Sequence, residues 1–144
     1  MQWNAGVNAG FSSGEPWIKV NPNYREINVE QAEKDPASVL TFYRKLIAMR
    51  RKHPVMVYGQ FIDLSGDDPH LYIYKRSYEK IDWIVMLNHG TEEQAVTLLA
   101  HAHREGSAGL SLLLGNYQET PEACSLSDTI TLRPFEARIY EVRQ

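Results

Sequence analysis

MQWNAGVNAGFSSGEPWIKVNPNYREIN, residues 1–28, is the stretch on which the reading of this chain turns. It carries two of the three tryptophans together with Phe11 and Tyr24, yet its apolar residues follow neither a helical nor a strand period. Gly, Pro, Asn and Ser recur through it. Each favours turns for its own reason: a free φ, a fixed φ, or a short side chain that bonds to nearby backbone. A flexible linker has no use for four aromatics, and a regular core element does not tolerate so many breakers. About 28 residues without regular structure exceed an ordinary connection, and loops of that length are functional or belong to a larger body.

Working outward, residues 29–34 have the length of a short helical turn, stopped by Asp35-Pro36. Proline disfavours helical geometry at the residue before it but suits the first turn of a helix. Asp35 is therefore the expected N-cap of a helix running to Arg51 or Lys52. Val39, Phe42, Tyr43, Leu46, Ile47 and Met49 form one apolar stripe at helical spacing. Arg50, Arg51 and Lys52 crowd the end, where cations interact well with the helix dipole, and Pro54 closes it.

From Val55 the period changes to two. Residues 55–64 read as a strand with a bulge or bend at Gly59, followed by the turn cluster Ser65–Pro69 and the branched, aromatic run 71–76. The continuous apolar run 83–87 is that of a strand covered on both faces. Further short strands are expected over 93–99, 110–114, 129–132 and 137–142, and the polar segment 100–109 is a surface loop. About seven short strands separated by turn signals imply an antiparallel sandwich or barrel. The chain is thus expected to be mainly β, with a loop-and-helix part (1–54) ahead of a β domain (55–144). The apolar stripe has to lie on that domain, on an absent body, or on a second copy of the chain.

Composition sets limits. With 144 residues, 43% apolar and 23% charged, the chain is long enough for a real core and is not a disordered tail. A formal charge of −3 with scattered Lys and Arg makes nucleic acid an unsuitable partner. No apolar run approaches a membrane span, no secretory leader opens these residues, and one cysteine, Cys124, forms no internal disulfide. A cytoplasmic location is expected.

Chemistry is sparse. His101 and His103 lie two apart in a polar loop and read as solvated, and the five histidines have no zinc-site spacing. Cys124 has no base in its neighbourhood in sequence. There is neither a phosphate-binding glycine loop nor a Gly-x-Ser-x-Gly elbow. Glu15, Glu26, Glu30, Glu33 and Asp35 lack the apolar surroundings that prepare a carboxyl for acid catalysis. Gln2-Trp3 and Pro16-Trp17 pair a polar or rigid residue with a ring able to stack on a sugar, although packing is the commoner use. No complete active site, cofactor site or metal site is expected.

A resemblance adds to this. Met1-Gln-Trp-Asn4, Ala9-Gly-Phe11, Gly14-Glu-Pro-Trp17, Val20-Asn-Pro-Asn-Tyr24 and Ile27-Asn-Val29 resemble a run in bacterial α-glucosidases of the α-amylase superfamily, glycoside hydrolase family 13. The group is that of oligo-1,6-glucosidase, glucan 1,6-α-glucosidase and trehalose-6-phosphate hydrolase. The similarity continues through Phe42–Arg50, Tyr58-Gly59, the Leu-Gly-Asn-Tyr ending at Tyr117, and Thr131–Ala137. The resemblance implies that residues 1–54 are the last βα loop and last helix of a (β/α)₈ barrel, and 55–144 a C-terminal antiparallel β-sandwich. It also implies that the catalytic carboxylates lie upstream, in the barrel that would be this chain's partner, and that oligosaccharide is met only by the whole enzyme. Gln2 and Trp3 would border the substrate cleft; Asn4 stands where relatives often have Asp. The fragment itself is expected to be inactive, with a sugar-binding β module as the rival reading.

Overall fold

The computed structural model describes residues 1–98 and 109–143. His101, His103 and most of the expected loop 100–109 lie outside the described residues, as does Leu99 at the end of an expected strand. The chain divides into two compact units, residues 1–49 and 50–144.

The first unit holds the opening loop, helix α1 (Val29–Lys34) and most of helix α2 (Val39–Lys52). Asn28 caps α1, its Oδ1 accepting from the Gln31 N–H at 2.9 Å, and Asp35 ends it in extended backbone. The N-cap of α2 is displaced from the sequence reading. Asp35 Oδ1 accepts the Ala37 N–H (2.8 Å) and stabilises a turn instead. Ser38 takes the cap, its Oγ accepting from Thr41 N at 3.2 Å and its carbonyl from Phe42 N at 2.9 Å. Two capping residues three apart compete here, and the one beyond Pro36 wins. The end at Lys52 is as expected, and Val39, Tyr43 and Ile47 of the stripe are exposed.

The second unit corrects the 55–64 strand. Val55–Tyr58 is a short helix, α3, and only Gln60–Asp63 form a strand, β1. Pro54 supplies a helical φ of −53° at the N-cap, and its carbonyl accepts from Val57 N (2.9 Å) and Tyr58 N (2.7 Å). Four consecutive apolar residues fit either conformation, so the fixed φ of proline decides. Gly59 then lets the chain fold back sharply. A Cβ there would stand 2.3 Å from the Val55 carbonyl oxygen.

β2 (Leu71–Tyr78), β3 (Ile81–Asn88), β4 (Gln94–Thr97), β5 (Gly109–Gly115), β7 (Thr129–Leu132) and β8 (Ala137–Arg143) match expected strands, and β6 (Ala123–Cys124) is an addition. All pairings among the described residues are antiparallel. One sheet has the order β1-β2-β3-β8-β5-β6; β4 and β7 form a second. Ile73, Ile84, Met86 and Tyr140 from the larger sheet join Val96, Ile130 and Leu132 from the smaller in one apolar cluster. On β2 the side chains alternate, so Leu71 and Ile73 are buried while Tyr72 faces out. On β3 every residue from Asp82 to Met86 is buried, as the continuous apolar run requires.

Candidate functional site

The opening loop is built from short turns held by amide side chains. Pro22–Arg25 is a single 3₁₀ turn, whereas Val7–Gly10 is a tight turn of mostly left-handed backbone. Asn8, Ala9 and Gly10 all have positive φ (52°, 54° and 71°), a left-handed run that glycine alone adopts without cost. The fully buried Ala9 is held there because its carbonyl accepts from both Trp3 N (2.8 Å) and Asn4 N (3.3 Å). Asn4 Oδ1 accepts from Gly6 N at 2.9 Å, and a Cβ on Gly10 would lie 2.5 Å from Asn4 Nδ2. The positive φ favours glycine at position 10, and the Asn4 amide, held by Gly6 N, leaves little room there for a side chain. Asn8 Nδ2 donates to the carbonyls of Ser12 (3.2 Å) and Gly14 (2.9 Å), closing the Gly-Phe-Ser-Ser-Gly bend.

Gln2 is a positioning residue in this arrangement. Its Nε2 donates to Asn23 Oδ1 (3.1 Å) and to the Ile27 carbonyl, and its backbone carbonyl accepts from Val29 N at 3.0 Å. The Trp3 carbonyl accepts from Glu30 N at 2.9 Å, so the start of the loop is fastened to the N-terminus of α1. The Trp3 ring is half exposed and Trp17 is 94% exposed, with Phe11 also open. The resemblance named Gln2, Trp3 and Asn4; the amides of Asn8, Asn23 and Asn28, which pin the turns around them, were not singled out. Their signal was the recurrence of Asn at turn positions.

The α1 carboxylates Glu30 and Glu33, like Asp35 after them, have structural duties. Glu30 pairs with Lys34 at 2.8 Å and Glu33 with Arg44 at 2.7 Å, both in solvent. In the second unit, Cys124 is half-buried in β6, and burial first, then the charge of Asp128, push its thiol up, away from nucleophilic use. His53 packs against Trp83 in a tilted contact with ring centroids 4.8 Å apart, and His89 Nε2 lies 2.9 Å from the Pro69 carbonyl. Among the described residues no three His, Cys, Asp or Glu side chains gather as a metal site, and no helix is long and apolar enough to cross a membrane.

Its similarity to known proteins places this chain in the α-amylase superfamily, glycoside hydrolase family 13. Residues 1–59 match the family described as alpha amylase, catalytic domain. Over 97% of its length the chain is 44% identical to the probable oligo-1,6-glucosidase 2 of Bacillus subtilis (strain 168), covering 24% of that protein. Over 99% it is 43% identical to the oligo-1,6-glucosidase of Parageobacillus thermoglucosidasius, covering 25%. Among solved structures, the Bacillus licheniformis trehalose-6-phosphate hydrolase superposes with a TM-score of 0.89 at 33% identity, over 99% of this chain and 25% of that one. The chain spans about a quarter of the length of the relatives it matches.

Proposed function

We propose that this chain is the C-terminal part of an α-glucosidase, residues 1–54 ending its (β/α)₈ barrel and 55–144 forming its β-sandwich. The intact enzyme would cleave α-glucosidic bonds, α-1,6 among them, in short oligosaccharides in the cytoplasm, with retention through a covalent glucosyl intermediate. The single observation that carries this is the end-to-end similarity of the chain to one quarter of several oligo-1,6-glucosidases. The strained, amide-locked loop supports it, because left-handed non-glycine residues concentrate where a site has to be shaped. In barrel enzymes the βα loops line the active site, and Gln2 would hold the Trp3 ring at its rim. The catalytic carboxylates are assigned to the upstream barrel, so the chain alone is inactive. Incubated with p-nitrophenyl α-glucoside, it should release no more nitrophenol than buffer does. Turnover by a homogeneous sample overturns the assignment.

The upstream barrel is also the partner this reading assigns to the exposed face of α2. In the isolated chain a second copy takes its place over Val39, Tyr43 and Ile47. Sedimentation should then give a dimer that Ile47→Lys converts to monomer; a wild-type monomer at 100 μM, chosen as about a hundred times a micromolar Kd, counts against it.

A further inference from the structure

Pairing of β1 with β2 assembles a row of aromatic rings that no single segment displays. Phe61 lies opposite Arg76, and Asp63 opposite Tyr74. The Phe61 and Tyr74 ring centroids are 5.3 Å apart, as are those of Tyr72 and Tyr74. Farther along, Tyr58 and Tyr78 approach at 6.4 Å. Tyr72, Tyr74, Arg76 and Tyr78 occupy every second position of β2, on the face away from the buried Leu71 and Ile73. At about 3.3 Å per residue the row runs about 20 Å. Phe61 is 46% and Tyr72 44% exposed, and β1 is the edge strand, so the rings can be approached from the side.

Beside the row lies a shallow hollow of about 430 Å³, bounded by Phe61, Tyr72, Tyr74, Arg50, Arg76 and Met56. The two guanidinium groups are held in place by the end of α3. Arg50 Nη1 donates to the Met56 carbonyl at 2.8 Å, and Arg76 donates to the carbonyls of Val55, Met56 and Val57 at 3.3–3.4 Å. Each guanidinium carries five N–H donors, more than these carbonyls take.

We propose that the Phe61–Tyr72–Tyr74 row with Arg50 and Arg76 is a binding surface for an α-glucan chain. Partly exposed aromatic rings, tilted to one another by 36° and 48° and flanked by fixed hydrogen-bond donors, match a ligand whose own rings have apolar faces and hydroxyl edges. A phosphorylated or polyanionic ligand fits less well, because the arginines are already engaged by backbone carbonyls and the chain carries a net charge of −3. The geometry rests on this unit alone; the choice of glucan among neutral ring ligands rests on the family reading above.

The test is native electrophoresis of the 144-residue chain through gels containing dextran, with isomaltotriose titration by calorimetry. Dextran should retard the chain relative to a plain gel. Tyr72→Ala should weaken isomaltotriose binding by about threefold to tenfold, and Phe61→Ala with Tyr72→Ala should abolish retardation. Both rings are about half exposed, so these variants should keep the wild-type far-UV spectrum and Trp83 emission. Trp17→Ala, in the other unit, should bind as the wild type does. Absence of retardation in the wild type, its survival in the double variant, or its loss in Trp17→Ala overturns the proposal. None of these readouts involves bond cleavage, so failure here and failure of the α-glucosidase reading are separate results.

Discussion

Replacing Glu136 by Ala is expected to cost the second unit about 3–5 kcal/mol, the penalty of leaving a buried charge without its partner. The Glu136 carboxylate is fully buried, and Arg138 beside it is 5% exposed. Arg138 Nε donates to Oε1 at 2.7 Å and Nη2 to Oε2 at 2.9 Å, a two-point contact. The remaining capacity is also used: Oε2 accepts from Arg133 N (2.8 Å), while Arg138 donates to the Thr131 carbonyl (2.8 Å) and Tyr140 Oη (3.3 Å). The pair therefore joins the turn before β8 to β7. Glu136→Gln keeps the volume but presents an amide NH₂ where donors converge, so most of the loss should persist. If cavity formation were the cause, Gln would restore stability. Urea unfolding followed by Trp83 emission, with Trp3 and Trp17 changed to Phe, measures the difference.

The same group gives the loss a pH dependence. Burial pushes the Glu136 carboxyl up, but the hydrogen bonds from Arg138 and Arg133 outweigh it and hold the group below the usual carboxylate range. A carboxyl depressed by folding contributes stability that is complete above its unfolded-state value and disappears as pH falls through its folded value. The gap between wild type and Glu136→Ala should therefore be constant near neutrality and narrow in acid below the ordinary carboxylate range. A gap that stays the same well below that range contradicts the assignment.

Much of this second unit was readable in advance because period-two alternation reports which face of a strand is buried. β7 was read with its observed bounds, and β2, β3, β5 and β8 to within a few residues. The errors arose where that signal is silent. Val55–Tyr58 is four apolar residues, too short to show any period, and Pro54 settled the matter by geometry. β6 is two residues long, and only its pairing with β5 defines it. The start of α2 slipped because Asp35 and Ser38 are both competent caps. In the opening loop, the family resemblance pointed to Gln2 and Trp3 but said nothing of what holds them. Asn23 and Ile27 lie 21 and 25 residues from Gln2, beyond the reach of any local pattern. The aromatic row was hidden for a related reason: Phe61 and Tyr74 become neighbours only through the register of β1 on β2.

Trp83→Ala should be comparably damaging, at about 3–5 kcal/mol. Trp83 is 1% exposed and stands in β3 opposite Arg76 on one side and Glu141 on the other. Its indole N–H donates to Glu141 Oε2 at 2.9 Å, and its ring receives His53 at 4.8 Å. Truncation to Ala thus removes three things together: ring volume in a closed site, the donor to a carboxylate, and the surface on which His53 rests. Trp83→Phe separates them. It keeps an aromatic face for His53 and most of the apolar contact but leaves Glu141 without the indole donor, so it should lose about 1–3 kcal/mol. Adding Glu141→Gln to Trp83→Phe should recover part of that loss, because a neutral amide tolerates a missing donor better than a carboxylate does. Chemical unfolding monitored by far-UV circular dichroism serves for all three, since the fluorescent reporter is itself removed. If Trp83→Phe proves as unstable as Trp83→Ala, the indole hydrogen bond to Glu141 carries the effect, and ring packing between β3 and His53 contributes little.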